Sequence, residues 1–396
     1  MEQPDTQTEK SANSLVVADQ ELILFENSHS LIQSMVRDLQ QAQKRIWLEC
    51  YMIVDDAAGQ ALAEVIRERA AQGVEVRVLY DAVGSLTTPN EFFHSLEIAG
   101  AQVHAYHSLW ESLWRFSFFR IFNRRDHRKL LAIDDQICYF GGMNIVDLSG
   151  LNTLQDVKNM HLPMSAGWRD VHVRLVGSKQ KEVAQVMDRL WRHVHRLPNV
   201  KPSKWNIDAL LSSTQDSISF FDFEPLKFSR RAQRMFVPLI HKARKSITLA
   251  MAYFIPIGRI LSALIKARRR GVKVRVIVPA VSDVQTVRYA SRHLYASLLK
   301  KGIRIYERQN QMLHSKVMIV DGVWSVIGSC NLDPRSLRVN LEFSSLIRSI
   351  NVATALLRML RHDLRHSHRI TPEFCLQRSW RERLLDQVAW SFRRFL

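Results

Sequence analysis

The chain repeats itself at a fixed distance, and that repeat limits the fold more than any other feature. His127-Arg128-Lys129-Leu130-Leu131-Ala132-Ile133-Asp134 has the same pattern as His314-Ser315-Lys316-Val317-Met318-Ile319-Val320-Asp321. His127 to His314, Asp134 to Asp321 and Asn144 to Asn331 are each separated by 187 positions. Gly141-Gly142 correspondingly aligns with Gly328-Ser329. Upstream, Ala42–Ile53 and Ala243–Ile255 each run from a basic helix end into an apolar strand. Ala61–Asp81 and Ile260–Pro279 each read as an amphipathic helix, a glycine stop (Gly73, Gly271) and a β-branched strand. A second period of this length means a duplicated unit. The helix–strand alternation makes each unit α/β, with a mixed sheet covered by helices.

With 396 residues, 46% of them apolar, the chain can bury two cores. The expected organisation is a disordered tail over 1–20, a first half over 21–195, a linker over 196–214 around Pro198 and Pro202, a second half over 215–377 and a tail over 378–396. The 56 basic and 38 acidic residues leave a net charge of +18, which suits phosphate polyanions or an anionic membrane surface. Four separated cysteines exclude a disulfide framework and a thiolate zinc site. The first twenty residues lack the apolar core of a signal peptide, and no stretch is long enough to cross a bilayer. Attachment to a membrane would therefore be peripheral.

On a strand, residues two apart face the same side, so each His-x-Lys motif projects imidazole and ammonium together. The apolar run after each lysine ends at Asp134 or Asp321 in what reads as a hairpin turn. Packed about a pseudo-twofold axis, the halves would bring both pairs to one interface, where pockets favour forming. Two lysines can hold the non-bridging oxygens of a phosphodiester. One neutral histidine can attack phosphorus, and the other can pass a proton to the leaving alkoxide. Because the cations are side chains, no metal or other cofactor is required.

The doubled His-x-Lys-x4-Asp pattern, with Gly-Gly or Gly-Ser and Asn downstream, resembles the phospholipase D superfamily. Gly328–Ser336, Tyr253-Phe254-Ile255-Pro256 and Trp168–Arg174 are similar to bacterial cardiolipin synthases, in particular the shorter type without N-terminal membrane spans. The resemblance covers roughly residues 21–350. It implies two α/β/α sandwich halves with mixed sheets, related by a pseudo-twofold axis. It also implies a catalytic set of His127, Lys129, Asp134, His314, Lys316 and Asp321, with His127 as nucleophile. Asn144 and Asn331 would assist phosphate binding. Asp170 and Glu342 would each orient a histidine, while Asp134 and Asp321 would anchor turns. The implied reaction transfers a phosphatidyl group from phosphatidylglycerol to a second headgroup hydroxyl through phosphohistidine at a bacterial inner membrane, and the missing export signal points to its cytoplasmic side. A phospholipase D hydrolase or a nuclease would use the same chemistry, and a lipid-binding scaffold with a degenerate site would have lost motif residues.

The first half carries about 15 extra residues before His127. Trp110, Leu113, Trp114, Phe118, Ile121 and Phe122 make an apolar stripe flanked by arginines. In the tail, Trp380, Leu384, Leu385, Val388, Phe392, Phe395 and Leu396 recur at helical spacing among five arginines. Both read as interfacial elements for lipid, which argues against nucleic acid as the substrate.

Overall fold

The computed structural model describes residues 14–107, 124–147, 168–198, 205–224 and 231–395. The insert stripe from Trp110 to Phe122 lies outside the described residues. In the first half the strands are β1 (Ser14–Val17), β2 (Gln20–Phe25), β3 (Arg45–Cys50), β4 (Glu75–Asp81), β5 (Gln102–Tyr106), β6 (Lys129–Ile133), β7 (Ile137–Gly141) and β8 (His172–Val176). In the second they are β9 (Ser217–Phe223), β10 (Ser246–Met251), β11 (Lys273–Pro279), β12 (Arg304–Arg308), β13 (Lys316–Val320), β14 (Trp324–Gly328), β15 (Glu342–Arg348) and β16 (Ser367–Arg369).

The duplication is carried into topology. The first sheet is ordered β1-β2-β8-β7-β6-β3-β4-β5, and the second, taken from its far edge, β9-β15-β14-β13-β10-β11-β12-β16. Removing the edge strands β1 and β16 leaves the same seven-strand order twice. Each sheet is mixed: β3-β4-β5 and β10-β11-β12 are parallel, while β6 and β13 join them antiparallel. Parallel strands need helical crossovers, and helices Ala57–Ala71 and Gly258–Arg269 supply them. Gly73 and Gly271 end these helices in the left-handed region, at φ 88° and 91°.

Strand alternation divides the cores. Along β6, Leu131 and Ile133 point into the first half's own core, while Leu130 and Ala132 point into a core shared by both halves. Along β13, Met318 and Val320 face the second half's core, whereas Val317 and Ile319 join the shared one. Phe140 meets Phe220 and Phe343 across that boundary at ring separations of 5.3 and 5.9 Å. Each such buried aromatic contributes on the order of 1.5–3 kcal/mol by area, so the halves are held as firmly as the interior of a domain.

Two expected boundaries change. Residues 14–17, placed in a disordered tail, form β1 against β2, and Val17 is buried in the shared core. The expected linker 196–214 contains helix Ile207–Ser212. Its Leu211, with Trp205, packs into the core of the second half, so that stretch belongs to the second unit.

Candidate active site

The two motifs meet because the segments before β6 and β13 are tied to the opposite half. The His127 N–H donates to the Leu341 carbonyl at 2.9 Å, and the Leu341 N–H donates to Arg125 at 2.8 Å. Symmetrically, the His314 N–H donates to Arg169 at 2.8 Å, and the Arg169 N–H to Met312 at 2.7 Å. Both rings line one cavity of about 410 Å³, together with Tyr51, Asn144, Trp168, Tyr253 and Arg335.

The supporting carboxylates are exchanged between halves. Asp170, from the first half, lies 2.7 Å from Nδ1 of His314, and Glu342, from the second, lies 3.6 Å from Nδ1 of His127. Although burial raises Asp170, Lys316 and His314 outweigh it and hold its carboxyl below the usual value. The ionised oxygen must accept, so Nδ1 of His314 carries the proton and Nε2 is left for chemistry. Lys316 is also 2.8 Å from that nitrogen, but its ammonium is served by the His314 carbonyl. Lys129 donates likewise to the His127 carbonyl at 2.7 Å.

Burial lowers His127 well below its ordinary value, with Lys129 and Lys316 adding to the effect. Its ring is therefore neutral. It is also the more accessible, its side chain 14% exposed against 4% for His314. Burial and Lys316 lower His314 too, while Asp170 pulls the other way and favours its cation. Burial raises Glu342 and lowers Lys129.

The glycines before each asparagine are cut to fit these carboxylates. A Cβ on Gly142 would lie 2.3 Å from an Asp170 oxygen. In the second half that position is Ser329, whose hydroxyl donates to Glu342 at 2.5 Å.

Not every residue of the expected set reaches the cavity. Asp134 and Asp321 follow the far ends of β6 and β13, about five residues or roughly 17 Å from the lysines. Asp134 accepts from the backbone N–H groups of Gln43, Lys44 and Arg45, and Asp321 from those of Arg244, Lys245 and Ser246. Their place in the catalytic set is thus corrected to turn anchors. Both sit at positive φ (50° and 56°), the strained corner these bonds hold. Asn144 lines the cavity, whereas Asn331 is fully buried behind it and accepts from the Tyr253 N–H at 3.2 Å.

Sequence reasoning gave no role to the aromatic walls. Trp168 stacks on His314 at 4.3 Å, and Tyr51 lies 4.4 Å from His127. The only signal was their presence within motifs already singled out. Arg335, in the Asp-Pro-Arg-Ser run, adds a cation to the cavity wall.

Burial pushes Lys316 down to about 8, from an ordinary value near 10.4. Its ammonium is present below that pH and lost above it. kcat/KM should therefore fall about tenfold per unit above pH ~8, while kcat falls later because bound phosphate favours the charged lysine. A kcat/KM profile flat to about pH 10 would remove Lys316 from phosphate binding.

Comparison with known proteins places the chain in a family. A family model described as "Cardiolipin synthase, PLD-like domain" matches residues 35–157 and 236–364, one stretch in each half. The chain is 31% identical to cardiolipin synthase of Geobacillus kaustophilus over 92% of its length and 70% of that protein. It is 31% identical to the major cardiolipin synthase of Bacillus subtilis, covering 95% of this chain and 76% of the other. The crystal structure of phosphatidylserine synthase from Haemophilus influenzae superposes with a TM-score of 0.69 over 98% of this chain and 99% of that one. At 13% identity that likeness concerns the fold. A match in both halves, on relatives aligned over nine-tenths of the sequence, makes the chain a member of the cardiolipin synthase family of phospholipase D-like proteins.

Proposed function

We propose that the chain is a cardiolipin synthase, a phosphatidyltransferase acting on two phosphatidylglycerol molecules by double displacement at one phosphorus. The observation that carries this reading is the carboxylate exchange, Asp170 to His314 and Glu342 to His127, around one cavity lined by both histidines. The His127 lone pair attacks phosphorus, and the bond from phosphorus to the glycerol oxygen breaks. His314, its cation supported by Asp170, delivers a proton to the departing alkoxide. The same His314 then takes a proton from the headgroup hydroxyl of the second lipid. That oxygen attacks phosphorus, and the phosphorus–nitrogen bond breaks. Two phosphatidylglycerols become one cardiolipin and one glycerol. The phosphodiester is exchanged, not consumed, so no nucleotide is needed. Lys129 and Lys316 offset the charge that grows on the non-bridging oxygens.

The work site in this reading is an anionic membrane surface of a bacterial cell. Among the described residues no helix is long and apolar enough to cross a bilayer. Helix Trp380–Ser391 docks on helix Gln285–His293 through Ala389 and Trp390 and an Arg292–Glu382 ion pair at 3.2 Å, while Arg378, just before it, pairs with its own Asp386 at 2.6 Å. Its other face leaves Trp380, Leu384, Leu385, Val388 and Phe392 about half or more exposed, which suits a helix lying in a lipid interface. Replacing Leu384 and Leu385 by Glu is expected to weaken co-sedimentation with vesicles; unchanged sedimentation would reject this face as the contact.

The direct test of function is incubation with phosphatidylglycerol vesicles and mass analysis of the products. Cardiolipin and glycerol in equal amounts are expected. Phosphatidic acid and glycerol without cardiolipin would identify a hydrolase.

A further inference from the structure

A second cavity, of about 300 Å³, lies beside the catalytic one, across helix Pro334–Arg338. Ile257, Leu261 and Trp390 give it an apolar floor, and Arg338, Arg393 and Arg394 give it a cationic wall. Among the described residues, no carboxylate pairs with any of these arginines. Arg338 and Arg394 are exposed, and Arg393 is folded over the Trp390 ring at 4.4 Å while donating to the Trp390 carbonyl. Helix Gly258–Arg269 starts at this cavity without a side-chain cap, adding the positive end of its dipole.

Three arginines without a carboxylate partner around an apolar floor would be a poor feature for an isolated soluble surface, because like charges repel. The neighbours explain them. On one side the cavity is closed by Trp390, from the docked face of helix Trp380–Ser391; on the other, helix Pro334–Arg338 carries Arg335 and Ser336 into the catalytic cavity. Phe395, 68% exposed, follows Arg394 and lines the catalytic mouth.

We propose that this cavity is a second phospholipid site, which takes the phosphate-bearing headgroup of an anionic lipid that is not being turned over. Its arginines hold the phosphate, and its apolar floor of Ile257, Leu261 and Trp390 meets the start of the acyl region. The bound lipid seats the catalytic mouth at headgroup depth, next to the lipids that react. The proposal rests on the membrane reading above, but its ligand, its residues and its readout are separate from the chemistry.

The test is co-sedimentation with vesicles of equimolar phosphatidylglycerol and phosphatidylcholine, and with pure phosphatidylcholine, at fixed ionic strength. Arg338→Gln with Arg394→Gln is expected to lower binding to the anionic vesicles at least tenfold, at roughly fivefold per arginine. Lys245→Gln with Lys273→Gln removes the same charge from the opposite ends of the strands and should cost much less. Equal losses in the two pairs, or no loss in the first, would overturn the site. Replacing chloride with inorganic phosphate at matched ionic strength identifies the source: if phosphate erases the difference between wild type and the arginine pair, the cavity takes the phosphate group alone. If the difference persists, it needs the lipid. Turnover of soluble short-chain phosphatidylglycerol should be unchanged in the arginine pair. Retained turnover with no binding difference refutes the second site and leaves the catalytic reading standing; absent turnover in wild type refutes the catalytic reading instead.

Discussion

Replacing either His127 or His314 with alanine should lower turnover of phosphatidylglycerol by at least 10³-fold, and replacing both should cost little more than replacing one. The non-additivity is the informative part. If each half ran its own reaction, a single variant would keep about half the activity. If the rings serve one phosphorus in sequence, loss of either stops the cycle: without His127 no covalent intermediate forms, and without His314 the glycerol oxygen leaves as an unprotonated alkoxide. Both rings are packed against aromatic walls, so circular dichroism and a denaturation curve must show that the variants fold. A folded single variant that keeps more than a few per cent of activity would contradict a shared site. One milder result is also expected. A substrate with a leaving group of low pKa should partly rescue His314→Ala, since it departs without a proton, but not His127→Ala.

Arg128→Met is expected to destabilise the fold by about 3–5 kcal/mol, measured by chemical denaturation. Arg128 is fully buried between the catalytic His127 and Lys129, and its guanidinium reaches Glu49 at 2.5 Å, Asp126 at 3.1 Å and Asp222 at 3.1 Å. Asp222 belongs to β9 of the second half and also receives Arg189 from the first, at 3.1 Å. Burial raises Glu49 while Arg128 pulls it down, and Arg128 and Arg189 are the cations that hold this acidic cluster. Methionine matches the volume and removes the charge, leaving Asp126 and Asp222 buried with only Arg189 to offset them. The duplicate position is Ser315, whose hydroxyl donates to the Arg169 carbonyl at 3.3 Å, so the same change there lacks this penalty. A loss under about 1 kcal/mol would mean that water or neighbouring groups already compensate the cluster.

Much of this was legible in the sequence. A strict period of 187 residues encodes the twofold architecture, and strand parity places each histidine and lysine on one face. The acidic partners were legible as positions but not as pairs. Asp170 is near its own half's His127 in the chain yet bonds His314, because the exchange depends on how two sheets dock across Phe140, Phe220 and Phe343, and no local pattern encodes docking. Asp134 and Asp321 show the opposite difficulty. They belong to the motif by spacing, yet the strand's rise carries them to the far end of the sheet, where they cap a turn. Val16 and Val17 were passed over as tail because four residues are too few for a periodicity, and their strand exists only by pairing with Glu21 and Gln20. The cationic cavity near Trp390 draws residues from three separate segments, which sequence order does not bring together.

The most direct test of two histidines serving one phosphorus is to count covalent adducts. Wild-type protein turning over phosphatidylglycerol would be quenched under conditions that preserve phosphoramidates, digested and analysed by mass spectrometry. A phosphatidyl group on His127, at no more than one adduct per chain, is the expected result. Two adducts on one chain, one at each histidine, or none on either during active turnover, would contradict a single covalent site built jointly by the two halves.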